Sequence, residues 1–289
     1  MNTSALKKIA AKNARIAILE DLGSGDITTK TLGKAKYKIK KAVIKSNENG
    51  ILCGQYWFDN CFKHVQKKYG GTLKIIWAKK DKEKIKKGQK ICEVIAPLQT
   101  ILIAERSSLN FIQVLSGIST KTSSYINKLN NDKIKILDTR KTIPGWRLLE
   151  KYAVKTGGGT NHRNNLSDAI LVKDTHIKIN GSVTLVLERL IKKRSAKEIE
   201  IEISTLKELK EAMKFSPGTI MLDNFLLSEI KKCINIIRSS SKSKIEISGN
   251  IDESKLRKMK NYDIDYVSIG KLTHSAKFLD ISMTILNKD

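Results

Sequence analysis

The chain has 289 residues, 40% of them hydrophobic, which is enough to bury one large core or two ordinary ones. Its formal net charge is +26, from 55 basic and 29 acidic residues. The lysines are spread along the whole length without a basic tail, an aromatic RNA-binding signature or a helix-turn-helix pattern, so composition explains the charge without a specific nucleic-acid site, and an anionic small substrate is compatible with it.

The amino-terminal segment, residues 1–23, has charged side chains between its apolar positions. It therefore resembles neither a signal peptide nor a membrane span, and a cytoplasmic protein without membrane attachment is expected. The cysteines form no CxxC pair and have no histidine at metal-ligand spacing, which favours reduced, buried thiols over zinc or disulfides. There are four of them: Cys53, Cys61, Cys92 and Cys233.

Residues 36–105 contain short apolar or alternating runs separated by glycines. They predict a sheet-rich domain with strands in YKIKKAVIKS, TLKIIWA, QKICEVI and QTILIAE. A long amphipathic segment from Ser107 to Leu129 follows, with apolar side chains at helical spacing. We place the first domain at residues 1–112 and a second at 113–289, whose last residues are free to pack back on the first.

The second domain alternates between strand-like and helix-like segments. The strands are predicted in KIKILDT, AILVKD, EIEIEI, TIMLDN, KIEISG and YVSIG. Repeated βα units at this spacing indicate a parallel sheet with helical crossovers, either a barrel or a doubly wound sheet. Six strands are fewer than a regular eight-stranded barrel requires.

Polar residues and glycines recur where these strands end. In α/β barrels the carboxyl ends of the strands form the active site, so residues repeatedly placed there are expected to share one mouth. The residues at these positions are Arg140, Lys141, Lys173, Glu202, Asp223, Ser248, Gly249 and Gly270.

Cationic side chains dominate this set once three others are added: Arg106, His162 and Arg163. Arginine forks and lysine point charges together suit a ligand with several anionic groups. Two carboxylates among them, Glu202 and Asp223, are suited to Mg²⁺ coordinated also by water and substrate oxygens. The alternative is that all these charges neutralise one another in ordinary surface salt bridges.

Glycines adjoin the predicted mouth in three places. In TGGGTNHR, residues 156–163, one glycine is expected to end the preceding helix and the others to bring His162 and Arg163 toward the mouth. Ser248 and Gly249, and then Gly270, precede helical segments, where backbone N–H groups can bind a phosphate.

Eight motifs, in order along nearly the whole chain, resemble those of nicotinate-nucleotide pyrophosphorylase (carboxylating), also called quinolinate phosphoribosyltransferase. They are EDLGSGDITT, ERSSLNFIQVLSGIST, DTRKTIPGWR, KTGGGTNHRNNLSDAILVKDTHI, IEIE, MLDNF, ISGNI and SIGKLTHSA. The resemblance implies an amino-terminal α/β sandwich followed by an irregular α/β barrel, assembled as homodimers or multiples of dimers. It implies that quinolinate and phosphoribosyl pyrophosphate are converted to nicotinate mononucleotide, pyrophosphate and CO₂, in de novo NAD biosynthesis.

The resemblance also implies roles for individual residues. Arg140, His162, Arg163 and Lys173 match residues that hold the two quinolinate carboxylates, and Arg106 matches an arginine that reaches the neighbouring subunit's site. Lys141 matches a lysine at the pyrophosphate, and Glu202 and Asp223 match acids near the ribose hydroxyls and Mg²⁺. Ser248, Gly249 and Gly270 match the cradle of the 5-phosphate.

The sequence departs from the family pattern at Ile143, Trp146, Thr175 and Lys271, none of which removes a charged ligand, and His176 and His274 have no assigned role. Two rival hypotheses remain. One is a paralogue of this fold associated with molybdenum transport, in which the NHR triplet and the Lys-Asp-x-His run are altered, whereas NHR and KDTHI stand here. The other is a basic RNA-associated protein that uses the barrel as a scaffold.

Overall fold

The computed structural model describes residues 3–286, which form two compact units. The helices are α1 (Thr3–Leu22), α2 (Ile27–Lys30), α3 (Gln55–Tyr69), α4 (Leu98–Leu129), α5 (Arg147–Thr156), α6 (Asp174–Asn180), α7 (Val183–Ile191), α8 (Leu206–Met213), α9 (Leu227–Ser240), α10 (Glu253–Met259) and α11 (Lys271–His274). The strands are β1 (Ile39–Ser46), β2 (Gly50–Ile51), β3 (Lys74–Trp77), β4 (Lys84–Ile85), β5 (Lys90–Pro97), β6 (Lys135–Leu137), β7 (Ile170–Val172), β8 (Ile199–Ile203), β9 (Thr219–Asp223), β10 (Lys244–Ser248), β11 (Tyr266–Ser268) and β12 (Ile281–Leu286).

The first unit comprises residues up to 121, with 155–157 and 275 onward. Its four-stranded antiparallel sheet has the order β12-β1-β5-β3, so the last strand of the described chain pairs with the first. Helix α1 packs on α3 through a stripe of buried residues at four-residue intervals: Leu6, Ala10, Ala14, Ile18 and Leu22.

Residues 99–105 are not a strand, as the sequence had suggested, but belong to α4, which begins at Leu98 rather than at Ser107. Ile101, Ala104 and Ser108 are buried at helical spacing, and Thr100 and Ile103 are buried as well. A helix buried on several sides reads as a continuous apolar run, which periodicity alone does not separate from a strand. The proposed domain boundary after residue 112 falls inside this helix, and the first unit follows it to Lys121.

The second unit, residues 122–154 and 158–274, contains the parallel sheet with order β6-β11-β10-β9-β8-β7. The last strand, β11, lies beside the first, β6, which is the order of a barrel. An isolated parallel bridge joins Leu137 to Thr160 at the β6 edge. The six predicted strands and the irregular α/β barrel are therefore confirmed.

Strand alternation decides which side chains face the barrel interior. In β8 the three isoleucines are buried, and Glu200 and Glu202 point to the other face. The parallel register places Glu202 beside Met221 of β9 and Met221 beside Glu246 of β10. A layer of two carboxylates flanking a methionine thus lies just below the strand ends.

All four cysteines have free, buried thiols, as predicted, and burial raises the pKa of each. No helix among residues 3–286 combines the length and apolar character needed to cross a membrane.

Candidate active site

A cavity of about 460 Å³ lies at the carboxyl ends of the parallel strands. Ten of the eleven residues singled out in the sequence line it: Arg140, Lys141, His162, Arg163, Lys173, Glu202, Asp223, Ser248, Gly249 and Gly270. Arg106 is the exception, because it is an exposed residue of α4 in the first unit. The expectation of a common mouth therefore holds for the ten residues of the barrel.

A buried ion pair anchors the NHR triplet below this cavity. Asp138 and Lys151 are 0% and 1% exposed, and Lys151 Nζ donates a hydrogen bond to the Asp138 carboxylate. Lys151 also donates to the carbonyl of His162 (2.8 Å), and the His162 amide donates to Asp138 (2.9 Å). Since every partner is buried or half-buried, this network holds the loop after α5 in one conformation.

The glycine run permits the close approach of this loop. Helix α5 ends at Thr156, and Gly158 has a φ of +96°, a backbone conformation that side chains other than glycine rarely adopt. A Cβ on Gly159 would lie 2.7 Å from a methyl group of Val154. The run thus ends the helix, as expected, and returns the chain to pair beside β6.

Arg147 orients the loop that contains Arg140 and Lys141. Its guanidinium donates to Thr142 Oγ1 (3.2 Å), to the Asn164 carbonyl (3.0 Å) and to the Arg140 carbonyl (3.4 Å). Sequence reasoning gave Arg147 no role, although it is the last residue of the DTRKTIPGWR motif. It joins the two loops that bear the arginines of the cavity.

Three cavity cations, Arg140, Lys141 and Arg163, have no carboxylate within ion-pair distance in residues 3–286. Burial and the nearby Arg140 charge lower the pKa of Arg163, whose guanidinium donates to the Ala169 carbonyl at 3.0 Å. Arginine remains protonated in spite of this shift. These three cations are therefore not neutralised by salt bridges and present a positive field to a ligand.

The two predicted carboxylates, Glu202 and Asp223, lie on neighbouring strands. Lys173 Nζ lies 3.4 Å from Glu202 Oε2. Burial raises the pKa of Glu202, and the Asp223 charge raises it further against the opposing effect of Lys173. A hard cation beside these oxygens would relieve this repulsion, so the donor set fits Mg²⁺.

Two further carboxylates, which sequence reasoning missed, converge on His162. Glu200 lies 3.1 Å from His162 Nε2, and Glu246 lies 3.8 Å from the same atom. Burial lowers the pKa of His162, but the two carboxylates raise it by more. The sequence does contain a signal for them, because side chains two residues apart on a strand point to the same face. Glu200 is two residues before Glu202, and Glu246 is two residues before Ser248.

Glycines at two strand ends, Gly249 and Gly270, also line the cavity. Gly249 has a φ of +95°, and a Cβ there would lie 2.2 Å from Asn224 Oδ1 and 2.6 Å from the Asn224 amide nitrogen. A Cβ on Gly270 would lie 3.0 Å from the Lys141 side chain. Glycine at 249 therefore allows Asn224 to pack against this backbone, and glycine at 270 leaves room for the Lys141 side chain.

Of the unassigned and divergent residues, His274 and Lys271 line the cavity. His176 accepts a hydrogen bond from the Lys173 amide at Nδ1 (2.9 Å), which fixes the start of α6 beside Lys173. Thr175 is exposed on the same helix.

An α/β barrel with uncompensated cations, paired carboxylates and glycines at its strand ends defines a protein that binds a polyanionic small molecule. Models of the quinolinate phosphoribosyl transferase N-terminal and C-terminal domains match residues 26–116 and 118–284. The chain belongs to this family.

Its similarity to individual relatives extends over nearly their whole length. It is 39% identical over 271 residues to a probable nicotinate-nucleotide pyrophosphorylase [carboxylating] of Bacillus subtilis, covering 92% of this chain and 90% of that one. The counterpart in Methanocaldococcus jannaschii is 37% identical over 97% and 99% of the two chains. The solved nicotinate-nucleotide pyrophosphorylase of Francisella tularensis superposes with a TM-score of 0.89 at 35% identity, over 97% of both chains.

Proposed function

We propose that this protein is a quinolinate phosphoribosyltransferase (decarboxylating), which forms nicotinate mononucleotide, pyrophosphate and CO₂ in NAD biosynthesis. One observation supports this above all: a single cavity is lined both by cations without carboxylate partners and by glycines at the strand ends. The first suits a dicarboxylate and the second a phosphate.

Quinolinate is assigned to the side of Arg140, Arg163 and Lys173, with His162 beside them. Two guanidiniums without carboxylate partners match two substrate carboxylates, and the loops that bear them are tied together through Arg147. Arginine binds a carboxylate through two parallel hydrogen bonds, so it fixes the ring plane as well as its position.

Phosphoribosyl pyrophosphate is assigned to the other side, with its 5-phosphate at Ser248, Gly249 and Gly270. Lys141 is then placed at the pyrophosphate, since its side chain reaches Gly270. Glu202 and Asp223 would hold Mg²⁺, directly or through water, which neutralises charge on the leaving pyrophosphate when bound.

The first chemical step is displacement of pyrophosphate from the ribose by the pyridine nitrogen. As the bond breaks, ribose carbon 1 becomes positive, and carboxylates near the ring stabilise that charge more than they stabilise the substrate. Lys141 stabilises the departing anion in the same way. The step needs no covalent enzyme intermediate.

The second step is loss of the carboxylate adjacent to the ring nitrogen. Once that nitrogen is alkylated and positive, the carbanion left by CO₂ is stabilised by the charge beside it. The cation that holds the other carboxylate keeps the ring in place.

The test is an assay of the purified protein with Mg²⁺, phosphoribosyl pyrophosphate and either quinolinate or nicotinate. Nicotinate mononucleotide is expected from quinolinate alone. Arg140→Ala and Lys173→Ala should each lower kcat/KM for quinolinate by about 2 to 5 kcal/mol of transition-state stabilisation. Lys207→Ala, an exposed lysine of α8, is the control.

No product from either substrate, with the wild-type protein folded, would refute the proposal and favour the molybdenum-associated paralogue. Unchanged kcat/KM in both variants would instead refute the assignment of these two residues. RNA binding below micromolar Kd at physiological salt that survives added phosphoribosyl pyrophosphate would support the RNA-associated alternative, since loose electrostatic binding is weaker and strongly salt-dependent.

Dimeric assembly and a cytoplasmic location belong to the same proposal. Arg106 is exposed on α4 and does not line the cavity in residues 3–286, which agrees with a role in the site of a second copy.

A further inference from the structure

Two carboxylates and one imidazole meet beneath the cavity, and their charges do not balance. His162 Nε2 is within hydrogen-bond distance of Glu200 (3.1 Å), whose carboxylate only accepts, so this nitrogen must itself bear a proton; Glu246 lies 3.8 Å from the same atom. The Arg163 amide donates to Nδ1 at 2.7 Å. Although the carboxylates favour a second proton on the ring, that amide already occupies the only nitrogen available for it. Two carboxylates beside one neutral imidazole repel each other, so a further proton on this cluster is expected on a carboxyl group.

Glu246 is the carboxyl group that fits this proton. It is 1% exposed, and its Oε1 atom has no hydrogen-bond partner in residues 3–286, whereas Glu200 is hydrogen-bonded to His162. Burying an ionised carboxylate with an unpaired oxygen costs far more free energy than burying the neutral acid. Burial and the Glu200 charge accordingly raise the pKa of Glu246 to about 7, against the lowering effect of His162.

The titratable groups near Glu246 are Glu200 and Glu202 on β8, His162, and Tyr266, its register partner on β11. Ser268 of β11 lowers the Glu246 pKa, and β9 presents Met221. Met221 separates it from Glu202 in the sheet. Glu246 nevertheless lines the same cavity as the residues assigned to quinolinate.

The proposed reaction requires a proton at that place. When the bond between the ring carbon and the carboxylate breaks, CO₂ leaves and the electron pair stays on the ring carbon. This pair must form a new C–H bond to complete nicotinate mononucleotide. Without a donor the carbanion recaptures CO₂.

We infer that Glu246, as a carboxylic acid, is the general acid that protonates the ring carbon from which CO₂ departs. The inference rests on the function proposed above. The O–H bond of Glu246 breaks as the C–H bond forms, which leaves Glu246 as a carboxylate next to the His162 Nε2–H. Water restores the proton after the product leaves, so each turnover consumes one proton from solvent.

The test separates the two chemical steps in a single turnover of the full-length enzyme with Mg²⁺ and both substrates. Glu246→Gln keeps the shape of the side chain and removes the acid. Pyrophosphate release is expected to stay within a few-fold of wild type, while nicotinate mononucleotide appears about 100-fold more slowly or worse. The undecarboxylated nucleotide should accumulate and be visible by mass spectrometry.

The pH dependence gives a second readout. Only the protonated acid is active, so the wild-type rate of mononucleotide formation should be constant well below pH 7 and fall as pH rises through the Glu246 pKa of about 7. The same rate in Glu246→Gln should lack this fall. Glu246→Asp, a shorter acid, should recover part of the rate and the pH dependence.

Two outcomes would overturn the inference: pyrophosphate and mononucleotide slowed by the same factor, or neither slowed. Glu188→Gln, an exposed acid of α7, is the matched control, and thermal melting checks that each variant is folded. Failure of the proposed function is distinguishable, because the wild-type enzyme itself would then release neither pyrophosphate nor mononucleotide.

Discussion

Single residues fix the loops below the barrel mouth, and buried Lys151 is one of them. Its ammonium is shared between the Asp138 carboxylate and the His162 carbonyl. A buried ion pair adds little net stability compared with a well-packed apolar pair, but removal of one partner leaves an uncompensated charge. The Asp138–Lys151 pair therefore determines the conformation of the NHR loop rather than adding much stability of its own.

Lys151→Met should lower the free energy of unfolding by about 3 to 5 kcal/mol, because Asp138 stays buried without its cation. Urea unfolding measures the loss, with Lys155→Met, an exposed lysine of the same helix, as the control. The double variant Asp138→Asn/Lys151→Met should regain part of the stability. A loss below about 1 kcal/mol in the single variant would show that Asp138 finds other compensation.

The charged residues of the site differ in how clearly the sequence alone marks them as functional. Arg140, Lys173, Glu202 and Asp223 stand out because charged side chains at strand ends interrupt apolar runs. Glu246 does not stand out in KIEIS, where one acid between isoleucines resembles the solvated face of an edge strand. Its burial results from barrel closure, which brings together strands that are distant in the chain.

Among the elements, the ends of β9 and β10 form the wall of the proposed phosphate site. The Asn224 amide donates to the Ser248 carbonyl (3.1 Å), and Asn224 itself has a φ of +58°. This contact places Asn224 against Gly249, where no Cβ fits. The two strand ends are thus locked together by a turn that depends on one glycine.

Gly249→Ala should weaken phosphoribosyl pyrophosphate binding at least tenfold, since the new methyl group must displace Asn224 and the turn opposite it. That corresponds to about 1.4 kcal/mol or more. Equilibrium titration measures the effect. Gly88→Ala is the matched control, because Gly88 has a φ of +77° and open space at its Cβ position, so it incurs backbone strain alone. Equal affinities in the two variants would contradict the assigned phosphate wall.

At the scale of the whole molecule, the cavity lies in one compact unit and Arg106 in the other. If Arg106 serves the site of a second copy, as the family resemblance implies, two inactive variants should complement each other. Each mixed dimer of Arg106→Ala and Asp223→Ala chains would then have one site with both residues intact.

Random mixing of the two variants by unfolding and refolding should restore about a quarter of wild-type activity, because half the dimers are mixed and each has one complete site. Activity assays before and after mixing measure it, and size-exclusion chromatography verifies the dimer. Lack of recovery in verified mixed dimers would place the Arg106 function within its own chain, or remove it.

The sequence by itself determined the alternation of strands and helices in the barrel, the residues at each strand end and the family. These are local properties, since strand parity, turn residues and motif spacing are set by neighbours along the chain. It predicted a strand at 99–105 where α4 begins, because a helix buried on several sides loses its polar face. Only the tertiary structure decided that Glu200, Glu246 and His162 meet. Their convergence and their protonation depend on how the barrel closes and excludes water, and neither property is encoded by spacing along one strand.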